Sequence, residues 1–330
     1  MTASTALARP PTRAAVSGLR LAYTPPLDAD ALLAALGRHE TVGLDRVDPL
    51  GRTVTRTVPT PDGPVLVTVH LAADEPVVVL DVEPLVAVAG VGAVWSGADG
   101  ALEALVSRVR GWLDLDHDPL AADAVLAADP ALAPLVAGAP GMRVPGFVDP
   151  FEAAATTVLG QQVSLAAART FTSRFVAAYG TPLRAAGAPS TAPHWFAFPT
   201  PEAIARADPD ELRAVVGLTR ARASSLTSLA AAFADGLALD TGPGSRERLL
   251  ALPGIGPWTA DYLELRLLRD PDAFPAGDLV LRRGLGVVDP DEATALAESW
   301  RPWRGYGVFH IWSSATAPQG RGAAPRRLLS

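Results

Sequence analysis

A seven-residue stretch near the C-terminal end of the chain, LPGIGPW at residues 252–258, has two glycines and two prolines between apolar segments of helical periodicity. Glycine permits positive φ and proline lacks a backbone N–H, so one continuous helix cannot pass through this stretch. The sequence therefore predicts two helices joined by a tight hairpin. Proline at residue 257 suits the first position of the second helix, because its φ is already helical.

Such a hairpin leaves backbone N–H groups exposed at the start of the second helix. The partial positive charge of a helix N-terminus, together with these donors, forms an anion site without charged side chains. A DNA phosphate is the anion expected for a helix-hairpin-helix, and a plain turn between helices is the alternative. The residues predicted to bind phosphate are Pro253, Gly254, Ile255, Gly256, Trp258 and Thr259.

The charge balance differs between the two parts of the chain. The net charge of −7 over 330 residues argues at first against a nucleic-acid partner. Residues 1–150 carry −8 of this balance, however, and residues 151–330 carry +1. The second part is therefore able to bind phosphate locally although it is not basic overall.

Two residue types are missing from the sequence. It has no cysteine, which excludes disulfides, a thiol nucleophile, an iron–sulfur cluster and cysteine-ligated zinc. All 28 basic residues are arginine, so no side-chain amine can form a Schiff base. We expect no cofactor to be required for the chemistry.

Localisation is predicted from the apolar runs. They are too short for a transmembrane helix, and the first residues lack the apolar segment of a signal peptide. We therefore expect a cytoplasmic protein without a membrane partner.

The pattern of apolar residues changes along the chain. Strand-like alternation prevails in the first hundred residues, around one helix-like segment, and helical periodicity prevails afterwards. The predicted class is α+β, with an antiparallel sheet domain followed by a mostly helical region. The predicted parts are a flexible tail at 1–16, the sheet domain at 17–98, the helical region at 99–316 and a flexible tail at 317–330.

Five segments match one known family in order. They are LPGIGPWTADYLELR with FPAGDLVLRRGLG after it, RVPGFVDPFEAAATTVLGQQVS, FPTPEAIARADPDEL and WRPWRGYGVFHIW. Over residues 17–315 the chain resembles the DNA-3-methyladenine glycosylase II family, the alkylation-repair branch of the helix-hairpin-helix DNA glycosylase superfamily. The resemblance implies double-stranded DNA as partner and a two-lobed helical region, with lobes at 126–270 and at 99–125 plus 271–316. We expect a monomer.

The resemblance assigns the catalytic role to Asp278, 20 residues after Trp258. A carboxylate there would stabilise the positive charge that develops on the sugar as the base leaves. By the same resemblance, Trp258, Tyr262 and Trp312 line the base pocket. An ordinary helix cap is the alternative for Asp278, and core packing is the alternative for the aromatic residues.

Two further features follow from the resemblance. Gln161 and Gln162 match the segment that wedges into DNA when a base is flipped, with a solvated corner between helices as the alternative. The backbone carbonyls of Leu250, Leu252 and Ile255 match a site for a structural monovalent cation.

The predicted function is removal of alkylated purines of the 3-methyladenine and 7-methylguanine type, leaving an abasic site. Trp258 stands where lyase relatives have a lysine, so no lyase activity is expected. The helix-like segment ALLAALGRHE has no aromatic residue to narrow the pocket, which therefore is expected to be wider. The alternatives are a glycosylase for deaminated or oxidised bases and a non-catalytic DNA-damage sensor.

Overall fold

The structure is a computed structural model that describes residues 15–71, 75–89, 95, 97–185, 188–189, 195–240 and 244–316. The two predicted tails lie outside the described residues, except that Val16 already begins the first strand. None of the described helices is long and apolar enough to cross a membrane.

The described strands form one antiparallel sheet, as the predicted fold class requires. Their order is β2-β3-β4-β5-β6-β7, and β1 pairs with β5. The strands are β1 (Val16–Ala22), β2 (Asp45–Asp48), β3 (Thr53–Val58), β4 (Val65–His70), β5 (Val77–Ala87), β6 (Thr181–Ala185) and β7 (Trp195–Ala197).

The long strand β5 organises the sheet. Its first part pairs with β1 and β4, and its end pairs with β6. Strands β6 and β7 come from the region that was predicted to be mostly helical, and the sequence pattern did not indicate them. These two strands tie the helical region to the sheet through backbone hydrogen bonds.

The first two helices cover the sheet. In β4 every second residue is buried, as expected for a strand with one face on a core. Helix α1 begins after the cap Asp28, whose side chain accepts from the Ala31 N–H. Helix α2 packs its residues Leu105 and Trp112 into the same core. Residues 99–113, which were predicted to form one lobe with residues 114–125 and 271–316, therefore share a core with the sheet.

The remaining helices form two further cores. One core unites α5 to α11, and the other unites α3, α4 and α12 to α14. The helices are α1 (Ala29–Arg38), α2 (Asp99–Leu113), α3 (Pro119–Leu126), α4 (Ala133–Gly138), α5 (Pro150–Gly160), α6 (Leu165–Tyr179), α7 (Pro201–Ala205), α8 (Pro209–Val216), α9 (Arg220–Ala234), α10 (Ser245–Leu250), α11 (Pro257–Arg266), α12 (Leu279–Leu285), α13 (Pro290–Leu296) and α14 (Arg304–Thr316), with a 3₁₀ turn at Ala297–Trp300.

A repeated dipeptide begins many of these helices. An Asp-Pro or Thr-Pro pair starts α3, α5, α7, α8 and α13, and in each case the Asp or Thr side chain accepts a hydrogen bond from the first turn. Proline supplies the helical φ, and the capping oxygen satisfies one free N–H. Helix α11 begins instead with Gly256-Pro257, and among the described residues no side chain caps it. The first turn of α11 therefore keeps N–H donors for an external acceptor.

Candidate active site

Asp278 is held by three N–H donors at the start of α12. Its Oδ1 accepts from the backbone N–H of Leu281 at 2.8 Å and from Trp312 Nε1 at 2.9 Å. Its Oδ2 accepts from Trp258 Nε1 at 3.1 Å. The residue is thus a helix cap, as the alternative interpretation held, but it is also fixed by two indoles from α11 and α14. All three donors are neutral, so they orient the carboxylate and leave its charge in place.

The three predicted aromatic residues lie together beside this carboxylate. The rings of Trp258 and Tyr262 stack with centroids 5.4 Å apart and an angle of 23° between planes. Tyr262 and Trp312 are 6.0 Å apart at 42°. All three are only partly buried and line one cavity with Asp278. The arrangement offers aromatic faces to a flat base next to a carboxylate, which is the geometry that a base pocket needs.

Arg266 completes the same face of α11, four residues after Tyr262. Its side chain is 6% exposed, and its guanidinium lies over the rings of Phe147, Tyr262 and Phe309 at 5.2 to 5.5 Å. Its Nη1 donates to Tyr262 Oη at 2.8 Å, and its Nε donates to the carbonyl of Pro145. Because Tyr262 accepts from Arg266, its own hydroxyl proton is free to be donated towards the cavity.

The cavity has a volume of about 380 Å³, within the range of small-molecule sites. Its aspartate end is formed by Asp278, Trp258 and Trp312. Helix α1 of the sheet domain forms one wall, where Ala35, Arg38 and His39 are among the lining residues. Ala35 is small, and no aromatic side chain of α1 narrows the cavity.

A second group of lining residues, which we call the ion-pair end of the cavity, consists of Arg56, Glu152 and Asp45. Arg56 Nη2 donates to both oxygens of Glu152 at 2.7 and 2.9 Å, and both side chains are almost fully buried. Burial raises the pKa of Asp45 to about 7, and the Arg56 guanidinium opposes this rise. The Asp45 Oδ1 accepts from the Thr41 N–H at 2.6 Å. This end joins β2 and β3 of the sheet to α5.

The predicted hairpin connects α10 and α11. Gly254 has φ of +82°, and a Cβ atom there would lie 2.1 Å from Ser225 Oγ. Both the left-handed backbone and the close approach therefore require glycine. Because residue 257 is proline, the N–H groups of Trp258 and Thr259 are the free donors of the first turn of α11. These are the donors expected at a phosphate site.

The two glutamines of the predicted wedge differ in their contacts. Gln161 Nε2 donates to the Gly254 carbonyl at 3.0 Å and to Thr259 Oγ1 at 2.9 Å. Arg222 donates to the backbone carbonyl of Gln161. Gln162 is exposed and has φ of +53°. The Gln161 side chain is therefore used to attach this turn to the hairpin, and Gln162 is the side chain that projects outward.

The backbone carbonyls proposed for a cation lie at the hairpin. The Leu252 carbonyl accepts from the Ile255 N–H at 3.1 Å, and a carbonyl oxygen has a second lone pair. Oxygen donors from backbone carbonyls suit a hard cation. The backbone carbonyls at the hairpin are therefore chemically suitable ligands for a monovalent cation.

Two family models match the chain. The AlkA N-terminal domain matches residues 18–149, and the HhH-GPD superfamily base excision DNA repair protein matches residues 155–302. A DNA-3-methyladenine glycosylase of Bacillus subtilis is 32% identical over 223 residues, which is 64% of this chain and 72% of that protein. The chain belongs to the DNA-3-methyladenine glycosylase family of the helix-hairpin-helix superfamily, and the resemblance found in the sequence is confirmed.

Two further comparisons support the fold and the extent of the match. A probable bifunctional transcriptional activator/DNA repair enzyme AlkA of Mycobacterium tuberculosis is 44% identical over 220 residues. This match covers 64% of the chain but only 43% of the length of that relative. The solved 3-methyladenine DNA glycosylase of Archaeoglobus fulgidus superposes with a TM-score of 0.73, covering 90% of this chain and 98% of that one at 19% identity.

Several residues of the cavity were not recognised in the sequence. Arg266 carried a signal, since Trp258, Tyr262 and Arg266 recur every four residues on one helix face. Arg38 and Glu152 carried none, because only the packing of the sheet domain on the helices brings them to the cavity. A sequence pattern along one helix does not show which face of another domain it meets.

Proposed function

We propose that the protein is a monofunctional DNA glycosylase that flips alkylated purines out of double-stranded DNA and hydrolyses the N-glycosidic bond. The observation that carries this proposal is the carboxylate of Asp278, oriented by two indole N–H groups at the end of a cavity with aromatic walls. Family membership agrees with it.

The chemistry follows from the placement of this carboxylate. As the bond between C1′ and the base nitrogen breaks, its electron pair leaves with the base and positive charge grows on the sugar. The ionised Asp278 stabilises that charge. A water molecule then adds to C1′ and loses a proton, which gives the abasic site. An N3- or N7-methylated purine is already cationic and needs no protonation to leave.

The absence of lyase activity belongs to the proposal. The sequence has no lysine, and Trp258 occupies the start of α11, where its indole contacts Asp278. No side-chain amine of this sequence can therefore attack C1′. The products should be a free base and an intact strand with an abasic site.

DNA binding is proposed at the hairpin and the neighbouring turn. The free N–H donors of α11 suit a phosphate, and the exposed Gln162 would enter the duplex after base flipping. A monovalent cation held by the carbonyls of Leu250, Leu252 and Ile255 would stiffen the hairpin. We also propose that the protein acts as a monomer in the cytoplasm and needs no other cofactor.

The test is base release from methylated duplex DNA, with the released bases identified, for the wild type and Asp278→Asn. Asparagine caps helices as well as aspartate does, so α12 should remain folded. We expect the rate to fall on the order of 10² to 10³-fold, the size of a lost electrostatic contribution to a transition state.

A matched control is available at Asp289. It caps α13 by accepting from the Asp291 N–H at 2.9 Å, so Asp289→Asn makes the same chemical change in another helix cap. This control should release bases like the wild type. An inactive wild type would refute the proposed function, and strand cleavage without added alkali would refute the monofunctional part.

A further inference from the structure

Two arginines line the cavity without a carboxylate partner. Among the described residues, Arg38 has neither a hydrogen-bond acceptor nor an ion-pair partner, and Arg266 donates only to neutral oxygens. Burial and the nearby Arg266 guanidinium lower the pKa of Arg38. An unpaired, partly buried guanidinium is unfavourable unless something else accepts its hydrogen bonds. The Arg38 guanidinium therefore has donors available to a molecule that occupies the cavity.

The position of a bound base indicates which of its atoms would meet Arg38. If the glycosidic nitrogen of a purine faces Asp278, the C6 edge of its six-membered ring points away from the sugar. Arg38 lies on the α1 wall and lines the same cavity as Tyr262 and Arg266, and the Arg266 guanidinium lowers its pKa. The ring stacked on Tyr262 would thus direct its C6 edge towards this wall.

The substituent at C6 decides whether such a contact is favourable. Guanine and hypoxanthine carry an oxygen there, which accepts hydrogen bonds, whereas adenine carries an amine, which donates them. Arginine has donors only, so it matches the oxygen and leaves the amine unpaired. We infer that Arg38 is a specificity-determining residue that donates to the C6 oxygen of the flipped base, so that the pocket favours oxo-purines over amino-purines.

This inference rests on the proposed function and names the substrates that the same site prefers. A comparison of 7-methylguanine with 3-methyladenine tests the inference independently of base charge. Both 7-methylguanine and 3-methyladenine are cations, so repulsion by Arg38 affects them alike. They differ at C6, where the first has an oxygen and the second an amine.

The experiment measures both bases released from one preparation of methylated duplex DNA, under single-turnover conditions. Arg38→Ala should lower the ratio of 7-methylguanine to 3-methyladenine about tenfold or more, the effect of one hydrogen bond from a charged donor. Arg38→Glu supplies an acceptor for the amine and should move the ratio further in the same direction. Arg20→Ala removes an equal charge from the exposed Arg20–Glu75 pair of the sheet and should leave the ratio unchanged.

The outcomes separate the inference from the proposed function. If the wild type releases neither base, the proposed function fails. If it releases both, and Arg38→Ala slows them equally with a smaller salt dependence, Arg38 contacts a DNA phosphate and the inference is overturned. An unchanged ratio in Arg38→Ala and Arg38→Glu, with thermal unfolding like the wild type, overturns it as well. A fall in the ratio in both variants supports it.

Discussion

The two ends of the cavity both contain buried or partly buried carboxylates, but the groups that bind these carboxylates differ in charge. At the aspartate end, Asp278 accepts from two indole N–H groups and one backbone N–H. At the ion-pair end, Glu152 is bonded through both oxygens to Arg56. A neutral donor orients a carboxylate without cancelling its charge, whereas a guanidinium cancels it.

This difference indicates a catalytic role for the carboxylate at the aspartate end and a structural role for the one at the ion-pair end. The charge of Asp278 stays available for a cationic transition state, because no arginine of the described residues forms an ion pair with it. The charge of Glu152 is used to join β3 to the start of α5, which fixes the sheet domain against the helices. Changes at the ion-pair end should therefore affect stability first, and changes at the aspartate end should affect catalysis first.

The largest expected effect is at the ion-pair end. Glu152→Ala leaves Arg56 charged, almost fully buried and without its partner. We expect the free energy of unfolding to fall by about 3–5 kcal/mol, as for other buried pairs with one member removed. Equilibrium denaturation in urea measures this. The double variant Arg56→Met with Glu152→Leu replaces both charges by apolar groups and should lie close to the wild type. If Glu152→Ala is as stable as the double variant, a buried, unpaired Arg56 does not destabilise the protein and the prediction is wrong.

The second effect tests the aspartate end. Trp312→Phe keeps an aromatic ring but removes the indole N–H that binds Asp278 Oδ1 at 2.9 Å. A hydrogen bond to a charged acceptor contributes about 1.5–3 kcal/mol, so base release should slow about tenfold or more if the bond orients the carboxylate for reaction. Single-turnover base release gives the rate, and thermal unfolding should change little. A large loss of stability with an unchanged rate would place Trp312 in the core rather than in the site.

The sequence contained enough to predict the aspartate end but not the ion-pair end. Asp278 was assigned its role by the family resemblance, which its 20-residue distance from Trp258 supported. Trp312 was added by resemblance. The hydrogen bonds from both indoles were not predictable, because they depend on how α11, α12 and α14 pack. Close packing is visible at Gly284, where a Cβ atom would lie 2.3 Å from Ile311 Cγ2.

The sheet shows a similar limit. Strand-like alternation predicted a sheet in the first hundred residues, and β4 shows the alternating burial that such a pattern implies. Strands β6 and β7 have five and three residues, too few to show a period, and they belong to the sheet only because β5 and β3 pack against them. Helix α2 has an apolar face, but the sequence of that face does not indicate which of two cores the helix joins.

A third prediction concerns the turn between α5 and α6, which contacts the hairpin. Gln161→Ala removes two hydrogen bonds to the hairpin and should destabilise the protein by about 1–2 kcal/mol. Gln162→Gly should be neutral or stabilising, because Gln162 has a left-handed backbone that costs roughly 1 kcal/mol for a residue with a side chain. Hydrogen exchange at the Ile255 and Ala260 N–H groups, which donate to the Leu252 and Gly256 carbonyls, reports on the hairpin. Faster exchange in Gln161→Ala alone is the expected result, and equal effects of both variants would contradict the distinction between the two glutamines.

The smallest effect is a pH dependence at the ion-pair end. Burial raises the pKa of Asp45 to about 7 in the folded protein, above its ordinary value of 3.8. The folded state therefore binds more protons than the unfolded state between these values, and the stabilising contribution of this group is lost as the pH rises from about 4 to 7. Asp45→Asn keeps an acceptor for the Thr41 N–H but does not titrate.

The gain in stability of Asp45→Asn over the wild type should therefore grow between pH 5 and pH 8. We expect a change on the order of 1 kcal/mol, because the Asp45 carboxylate is still partly accessible to solvent. Denaturation at several pH values measures the difference between the two proteins. Burial also raises the pKa of Asp114, to about 6, but both proteins contain Asp114, so its contribution cancels in the difference. If the difference in the free energy of unfolding between the two proteins stays constant from pH 5 to pH 8, Asp45 is ionised throughout this range. Arg56 would then neutralise both Asp45 and Glu152.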